Sequence, residues 1–359
     1  MSKYLYYAML VAALLPLSSK ASLSAEQLFS TEETLNLTIT APFHEINKAR
    51  NKEQHYGDAT VSYTGPNAQY ITVPVTLSVR GNSRLERRTC AFPPLKLKFA
   101  KKDREGTLFA DLKKVKLVTQ CQPKFKRSKD ELLQEYQAYR ILNELTDKSY
   151  RVQLLRVEYA DSRKDKAVER YAFFIEPSRN FSKRNNVSKL DTVNGSSTIL
   201  NGRHMNLISL YQMLIGNTDW SATKGGTDEC CHNGKLFGDA SEQEALFVPY
   251  DFDMTGLVGP KYAVPPSNLK LSSVQERRYR GYCRNNNFLV KNVSLLNNKR
   301  EDISQILRQD MGMSKVQVSK SVRYVDRFYE RINDTKRFAT NVNRFCLGER
   351  LAANGQGSS

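Results

Sequence analysis

A chain of 359 residues, 40% hydrophobic and 26% charged, has the composition of a globular protein with ample core for one large domain or two lobes. It shows no internal repeat and no zinc-finger, helix-turn-helix or RNA-binding signature, so no specific nucleic-acid partner is expected. The formal charge of +18, from 55 basic against 37 acidic residues, favours phosphorylated or acidic partners, an anionic envelope surface, or nucleic acid bound without a specific motif.

The amino terminus reads as a targeting segment. Lys3 is a basic start, residues 8–17 are an apolar run too short to span a bilayer, and Ser19-Lys20-Ala21 offers small residues for cleavage. Residues 1–21 are therefore expected to be a signal peptide. No later run is long and apolar enough for a transmembrane helix, so export to the periplasm or the extracellular space is expected. Six cysteines fit an oxidising compartment. The expected bridges are Cys90–Cys121 in the first half, and Cys230 or Cys231 with Cys283 in the second. Cys230-Cys231 lacks the C-x-x-C spacing of zinc ligands.

Residues 34–99 alternate in the β manner, with runs at 35–40, 60–64 and 71–79. Arg80-Gly81-Asn82-Ser83 ends the longest run. In the strand after Pro93-Pro94, Lys96 and Lys98 share one face and Leu95, Leu97 and Phe99 the other. A lysine there either reaches a nucleotide phosphate or faces water, and Lys116 in K-K-V-K-L-V is a third candidate. A helix follows. Ser128 and Glu131 have the spacing of a capping box, and Leu132, Tyr136, Tyr139, Leu142 and Leu145 form an apolar stripe. Glu135 flanks that stripe, where a carboxylate needs a partner. The partner is either a nucleotide lysine on the neighbouring strand or a surface cation such as Lys129 or Arg140. Strands at 152–159 and 170–175 come next. Glu176-Pro177 closes the β-rich region, and the polar stretch 178–201 reads as a connecting loop.

The most informative stretch runs from 205 to 256. Leu207, Leu210, Tyr211 and Leu214 have the spacing of a buried helical stripe, and Gly216 stands where a C-terminal cap is expected. G-N-T-D-W-S follows, carrying Asp219. Two apolar runs, 236–237 and 245–250, read as a hairpin. Asn233 stands at its entry and Asp251, in P-Y-D-F-D-M-T-G, at its exit. The hairpin would bring Asn233 beside Asp251, with Asp219 leaving the preceding helix toward the same place. This is the order of a phosphotransfer site, in which one Asp takes the proton of the acceptor hydroxyl while an Asn and a second Asp hold the metal ions on the nucleotide phosphates. Hard oxygen ligands suit Mg²⁺. Asp219 and Asn233 stand farther apart than in an H-R-D-x-x-x-x-N loop, and D-F-D replaces D-F-G. Taken one at a time, the same residues suit turns and caps.

Beyond this stretch, 259–266 is a Gly/Pro-punctuated loop, and 275–283 is basic and helical at its start. Residues 301–345 are helical, with Ile303, Ile306 and Leu307 in one helix and Val318, Val322, Val325 and Phe328 in the next. Residues 347–359 are expected to be a disordered tail. The expected fold is α+β. A β-rich N-terminal lobe (22–177) holds one helix and the nucleotide lysine, and a mainly helical C-terminal lobe (178–346) holds the acidic site.

The quoted residues resemble the CotH kinase family, atypical protein kinases first known from spore coats. The resemblance rests on R-G-N-S at 80–83, P-L-K-L-K-F, E-Y-Q-A-Y-R-I-L-N from Glu135, F-F-I-E ending at Glu176, G-N-T-D-W-S, His232-Asn233 and V-P-Y-D-F-D-M-T-G. It implies a bilobal protein-kinase-like fold and transfer of the ATP γ-phosphate to a protein hydroxyl with Mg²⁺ or Mn²⁺. By position it makes Asp219 the catalytic acid/base, Asn233 and Asp251 the metal ligands, and Glu135 the carboxylate paired with the nucleotide lysine. Lys96, Lys98 and Glu176 are further nucleotide-site candidates. Two other readings stand beside it. One is a catalytically silent kinase-like envelope or surface binding protein. The other is a glycosyltransferase using Asp251-Phe252-Asp253 as a D-x-D motif.

Overall fold

The β-branched alternation of the first half closes into a barrel. The computed structural model describes residues 25–190, 197–223, 230–238 and 244–348. The expected signal peptide, most of the expected tail and the tip of the 234–249 hairpin lie outside them. Seven strands, β1 (Leu35–Ala41), β2 (Tyr56–Thr64), β3 (Tyr70–Val79), β4 (Leu95–Lys98), β5 (Lys114–Thr119), β6 (Val152–Asp161) and β7 (Ala167–Ile175), stand in the order β1-β2-β3-β4-β5-β7-β6. A parallel pairing of β1 with β6 closes the ring, and the other pairings are antiparallel. Closure removes the exposed edges that an open sheet would present. Ile39, Val61, Leu77, Leu97, Leu117 and Phe174 belong to the buried barrel core. One short helix, α1 (Ala25–Leu28), precedes the barrel, two others, α2 (Phe43–Ala49) and α3 (Lys101–Arg104), join strands, and Leu28, Phe43 and Ile46 add to the same core.

Helix α4 (Lys126–Leu145) packs against β6 and β7 with its expected stripe buried. The expected capping box does not form. The helix begins after Phe125, so Ser128 lies inside it, and its hydroxyl accepts from the Gln122 N–H at 2.9 Å. Glu131 pairs instead with Arg127 at 2.9 Å.

The second half begins differently from expectation. Helix α5 (Ser178–Asn185) starts directly after Pro177, where a polar loop was expected. Its one apolar anchor, Phe181, is fully buried, and a single anchor gives no readable period. Strand β8 (Ser188–Lys189) pairs with β9 (Gly234–Gly238), which pairs with β10 (Leu246–Pro249) in a three-stranded sheet. Helix α6 (Gly202–Ile215) is buried on nearly every side, its polar His204, Asn206, Ser209 and Gln212 included. Among the described residues four helices follow: α7 (Leu289–Asn298), α8 (Arg300–Arg308), α9 (Lys315–Asn333) and α10 (Thr335–Phe345). Residues 275–281 form no helix. Arg277 instead donates to the carbonyls of Met213, Leu214 and Tyr324 at 2.5–3.2 Å and stacks on the Tyr324 ring.

A single large core joins α4, the α4-facing residues of β6 and β7, and the helical half. The Tyr211 hydroxyl donates to the Ala138 carbonyl at 2.7 Å, and Gln137 donates to the Ile306 carbonyl at 2.9 Å. The helix that carries Glu135 is thus held from both sides.

Cys90 is bonded to Cys121, as expected. The second expectation is corrected: Cys230 is bonded to Cys231, and Cys283 to Cys346. The Cys283 N–H donates to the Leu347 carbonyl at 3.0 Å and the Leu347 N–H to Gly281 at 2.8 Å. That pairing carries Cys346 to Cys283, so Leu347 belongs to the fold and not to the tail. Among the described residues, no helix is long and apolar enough to cross a membrane.

Candidate active site

The acidic residues meet in a cleft between the barrel and the helical half, and local geometry explains each position. Helix α6 ends in a Schellman cap. Gly216 has φ 67°, its N–H donates to the Met213 carbonyl, and the Asn217 N–H reaches Gln212 at 2.7 Å. Asn217 then turns the chain by accepting from the Asp219 N–H at 2.9 Å. Arg280 fixes the next turn by donating to the carbonyls of Thr218 and Trp220. The chain returns beside this loop through a two-residue bridge between Ser221 and His232. As a result, Asn233 Nδ2 donates to the Asp219 carboxylate at 2.9 Å and to its carbonyl at 2.7 Å. The other Asp219 oxygen meets His232 Nε2 at 2.7 Å. That hydrogen bond raises the His232 pKa from its ordinary value, against a smaller opposing effect of burial.

The hairpin does what its sequence predicts. The Tyr250 N–H donates to the Asn233 carbonyl at 3.0 Å, which sets Tyr250 across from Asn233 and Asp251 one residue beyond, on the same cavity. Asn233 and Asp251 both have left-handed backbone, with φ 50° and 67°. Non-glycine residues adopt that region when surrounding contacts impose it. At Asp251 one such contact is the Tyr139 hydroxyl, which accepts its N–H at 2.8 Å. The D-F-D turn alternates. The Asp251 side chain is 41% exposed to the cleft, Phe252 is buried against Tyr139 and Tyr211, and Asp253 points into a buried ion cluster.

Arg84 organises that cluster. Its guanidinium lies 2.6 Å from Asp253, 3.2 Å from Glu135 and 3.8 Å from Asp251. The Tyr262 hydroxyl also donates to Asp253 at 2.8 Å. Burial raises the pKa of both Glu135, to about 8, and Asp253, and Arg84 opposes the rise. Asp253 has the closer arginine contacts and the tyrosine, so its carboxylate is the better compensated of the two. The expectation that Glu135 pairs with a strand lysine is therefore corrected: its partner is an arginine from the loop after β3.

The lysines separate by position. Lys98 is exposed and lines neither part of the cleft, whereas Lys96 and Lys116 line both. Lys116, on β5, lies 4.6 Å over the Tyr250 ring. Burial pulls its pKa down to about 7, with further lowering from Arg80 and Lys235. Arg80 also lines the cleft, its Nε is buried without a partner, and burial lowers its pKa. Glu176 lines the inner part of the cleft, but its carboxylate is already held by Arg184 at 2.8 Å and the Arg151 N–H at 3.1 Å.

The outer part of the cleft is a cavity of about 750 Å³. Asp219, His232, Asn233 and Asp251 line one side, and Arg80 and Lys116 belong to its barrel side. An adjoining cavity of about 480 Å³ shares Lys96, Lys116 and Tyr250 with it and ends at Ile175-Glu176-Pro177. Sequence reasoning brought Asp219, Asn233 and Asp251 together but assigned no role to Arg80, Arg84, His232 or Arg280. Arg80 and Arg84 stand four apart in the loop that opens with R-G-N-S, which is the signal that could have drawn attention to them.

No family model matches the chain, and no curated protein matches it. Among solved structures, the chain is similar to the crystal structure of a Helicobacter pylori proinflammatory kinase, CtkA. The identity is 12%, the match covers 68% of this chain and 90% of that chain, and the TM-score is 0.39. A likeness at that level carries no argument, and the reading of the site rests on its own geometry.

Proposed function

We propose that the cleft binds ATP with Mg²⁺ or Mn²⁺ and transfers the γ-phosphate to a protein hydroxyl, as in the CotH kinases that the sequence resembles. The observation that carries this reading is the convergence on one cavity of Asp219, held by Asn233 and His232, with Asp251, Lys116 and Arg80, whose Nε is buried without a hydrogen-bond partner. Cations that form no ion pair among the described residues on one wall, and carboxylates on the other, match a site that must bind phosphate and a neutralising metal together. The chain order agrees: Lys116 lies on the strand directly before the helix that holds Glu135, as the nucleotide lysine does in protein kinases.

In this reading Asp219 orients the acceptor hydroxyl and takes its proton, which requires His232 to move off the carboxylate oxygen or to pass the proton on. Lys116 and Arg80 hold phosphate oxygens. Asp251 and the Asn233 amide oxygen are the residues that would hold the metal, whose chemistry is to neutralise phosphate charge. Among the described residues, no group of three His, Cys, Asp or Glu could hold a metal alone. Asp251 and the Asn233 amide offer hard oxygen donors, and an Mg²⁺ ion there would take its remaining ligands from phosphate and water.

The silent binding-protein reading draws on one specific observation, that both Asp219 oxygens are already hydrogen-bonded. The D-x-D reading loses support because Asp253 is enclosed by Arg84 and Tyr262. Three disulfides suit an oxidising compartment. We place the protein outside the cytoplasm, where its basic surface would meet anionic envelope material. A thermal-shift panel tests the reading. Stabilisation by ATP with Mg²⁺ or Mn²⁺ is expected, stabilisation by a UDP-sugar with Mn²⁺ would favour the glycosyltransferase, and a shift with neither would favour the silent module.

A further inference from the structure

The barrel carries a second concavity that shares no residue with the cleft. A cavity of about 590 Å³ lies between α2, the segment leading to Phe92 and the β6–β7 hairpin. Phe43, Phe92 and Tyr159 line it and pack on one another, with ring centroids 5.1–5.9 Å apart. Arg50, Arg87, Lys124, Lys164, Lys166 and Arg170 also line it, against one carboxylate, Asp161. Asp161 is already engaged, accepting from the His44 N–H at 2.7 Å and the Arg163 N–H at 2.9 Å.

Among the described residues, none of the six cations forms an ion pair with a carboxylate. Arg50 and Arg87 donate to main-chain carbonyls, contacts that bring no compensating charge. Burial and the nearby Arg87 both lower the Arg50 pKa. Arg170 lies over the Phe92 ring at 5.6 Å, and burial lowers its pKa as well. Aromatic rings and surplus cations around one cavity of ligand size form a set that one ligand class would complete.

We infer that this cavity is a binding site for a small phosphate ester of a flat apolar group. The apolar body meets the rings, and the Arg170 guanidinium and the lysines take the phosphate oxygens. The inference does not depend on the reading of the cleft.

Calorimetric titration of the full mature chain with 1-naphthyl phosphate tests it, with inorganic phosphate and 1-naphthol as the two half-ligands. Saturable binding of the ester is expected, with each half-ligand at least about tenfold weaker. Lys166→Gln, at an exposed position, and Arg170→Gln should each weaken the ester about tenfold, the worth of one charge-assisted contact. Lys116→Met, in the cleft, should leave its affinity unchanged. Absence of saturable binding overturns the inference. So does wild-type affinity in both cavity variants, or loss of binding in Lys116→Met alone, which would place the ester in the cleft. If Arg170→Gln fails to fold, Lys166→Gln and Lys124→Gln still decide the matter.

Discussion

Lys116 shows most clearly how one side chain can tie the cleft to its ligand. Its pKa of about 7 lies below the ordinary 10.5, chiefly through burial. The fold therefore favours the neutral amine, and the stability this contributes is present above pH 10.5 and lost as pH falls through about 7. Lys116→Met should be more stable than wild type below that pH, as read by urea unfolding at several pH values. A bound phosphate would restore the charge. Nucleotide binding should then take up a proton, and affinity should fall as pH rises through about 7. Calorimetry in buffers of different ionisation enthalpy measures that uptake, and its absence would remove Lys116 from the site. Arg84 gives a second residue-scale prediction. Arg84→Gln leaves Glu135 and Asp253 buried without their cation and should cost about 3–5 kcal/mol in chemical denaturation. Asp219, Asn233 and Asp251 were legible in the sequence because a hairpin and a capped helix fix where their chain segments go. The partner of Glu135 was not, because it comes from a loop far away in the chain.

At the scale of elements, Gly216 links helix α6 to the acidic loop. It has positive φ, and a Cβ there would fall on the Tyr324 hydroxyl. Gly216→Ala should therefore cost about 2 kcal/mol or more, seen as a lowered midpoint in thermal unfolding. The damage should extend to Asp219, because the Asn217 turn is built on the same cap. The barrel strands, α4 and α6 were readable because their apolar residues repeat at period two or at helical spacing. Helix α5 was not, since Phe181 is its one buried anchor and Pro177 begins it without a side-chain cap. The 275–283 segment misled for the opposite reason. Its composition suits a helix, but Arg277 and Arg280 are drawn to carbonyls at the ends of other elements. The failed capping box at Ser128 is of the same kind, a local signal overridden by the turn before it.

For the molecule as a whole, the disulfides divide by what they enclose. Cys283–Cys346 spans a separation of 63 residues and Cys90–Cys121 one of 31, whereas Cys230–Cys231 joins neighbours. Replacing Cys283 and Cys346 with Ser should cost about 2–4 kcal/mol, and replacing Cys230 and Cys231 far less. Non-reducing peptide mapping with parallel denaturation curves checks both statements. The even count and the Cys90–Cys121 pair could be read from the sequence. The remaining partners could not, because they depend on how the last residues return beside Gly281. The α+β organisation was likewise legible, but the sharing of one core by α4 and the helical half required the structure.

The central claim is that Asp219, Asn233 and Asp251 act as one phosphotransfer site with different duties. Measuring ATP affinity and ATP-dependent phosphorylation side by side for Asp219→Ala and Asp251→Ala tests it most directly. Asp251→Ala should weaken metal-dependent nucleotide binding together with turnover. Asp219→Ala should keep that binding while turnover falls by roughly a hundredfold to ten-thousandfold, and Asn233→Ala should lie between them. Wild-type protein that binds no nucleotide with either metal, or variants that bind and turn over like wild type, would contradict the account.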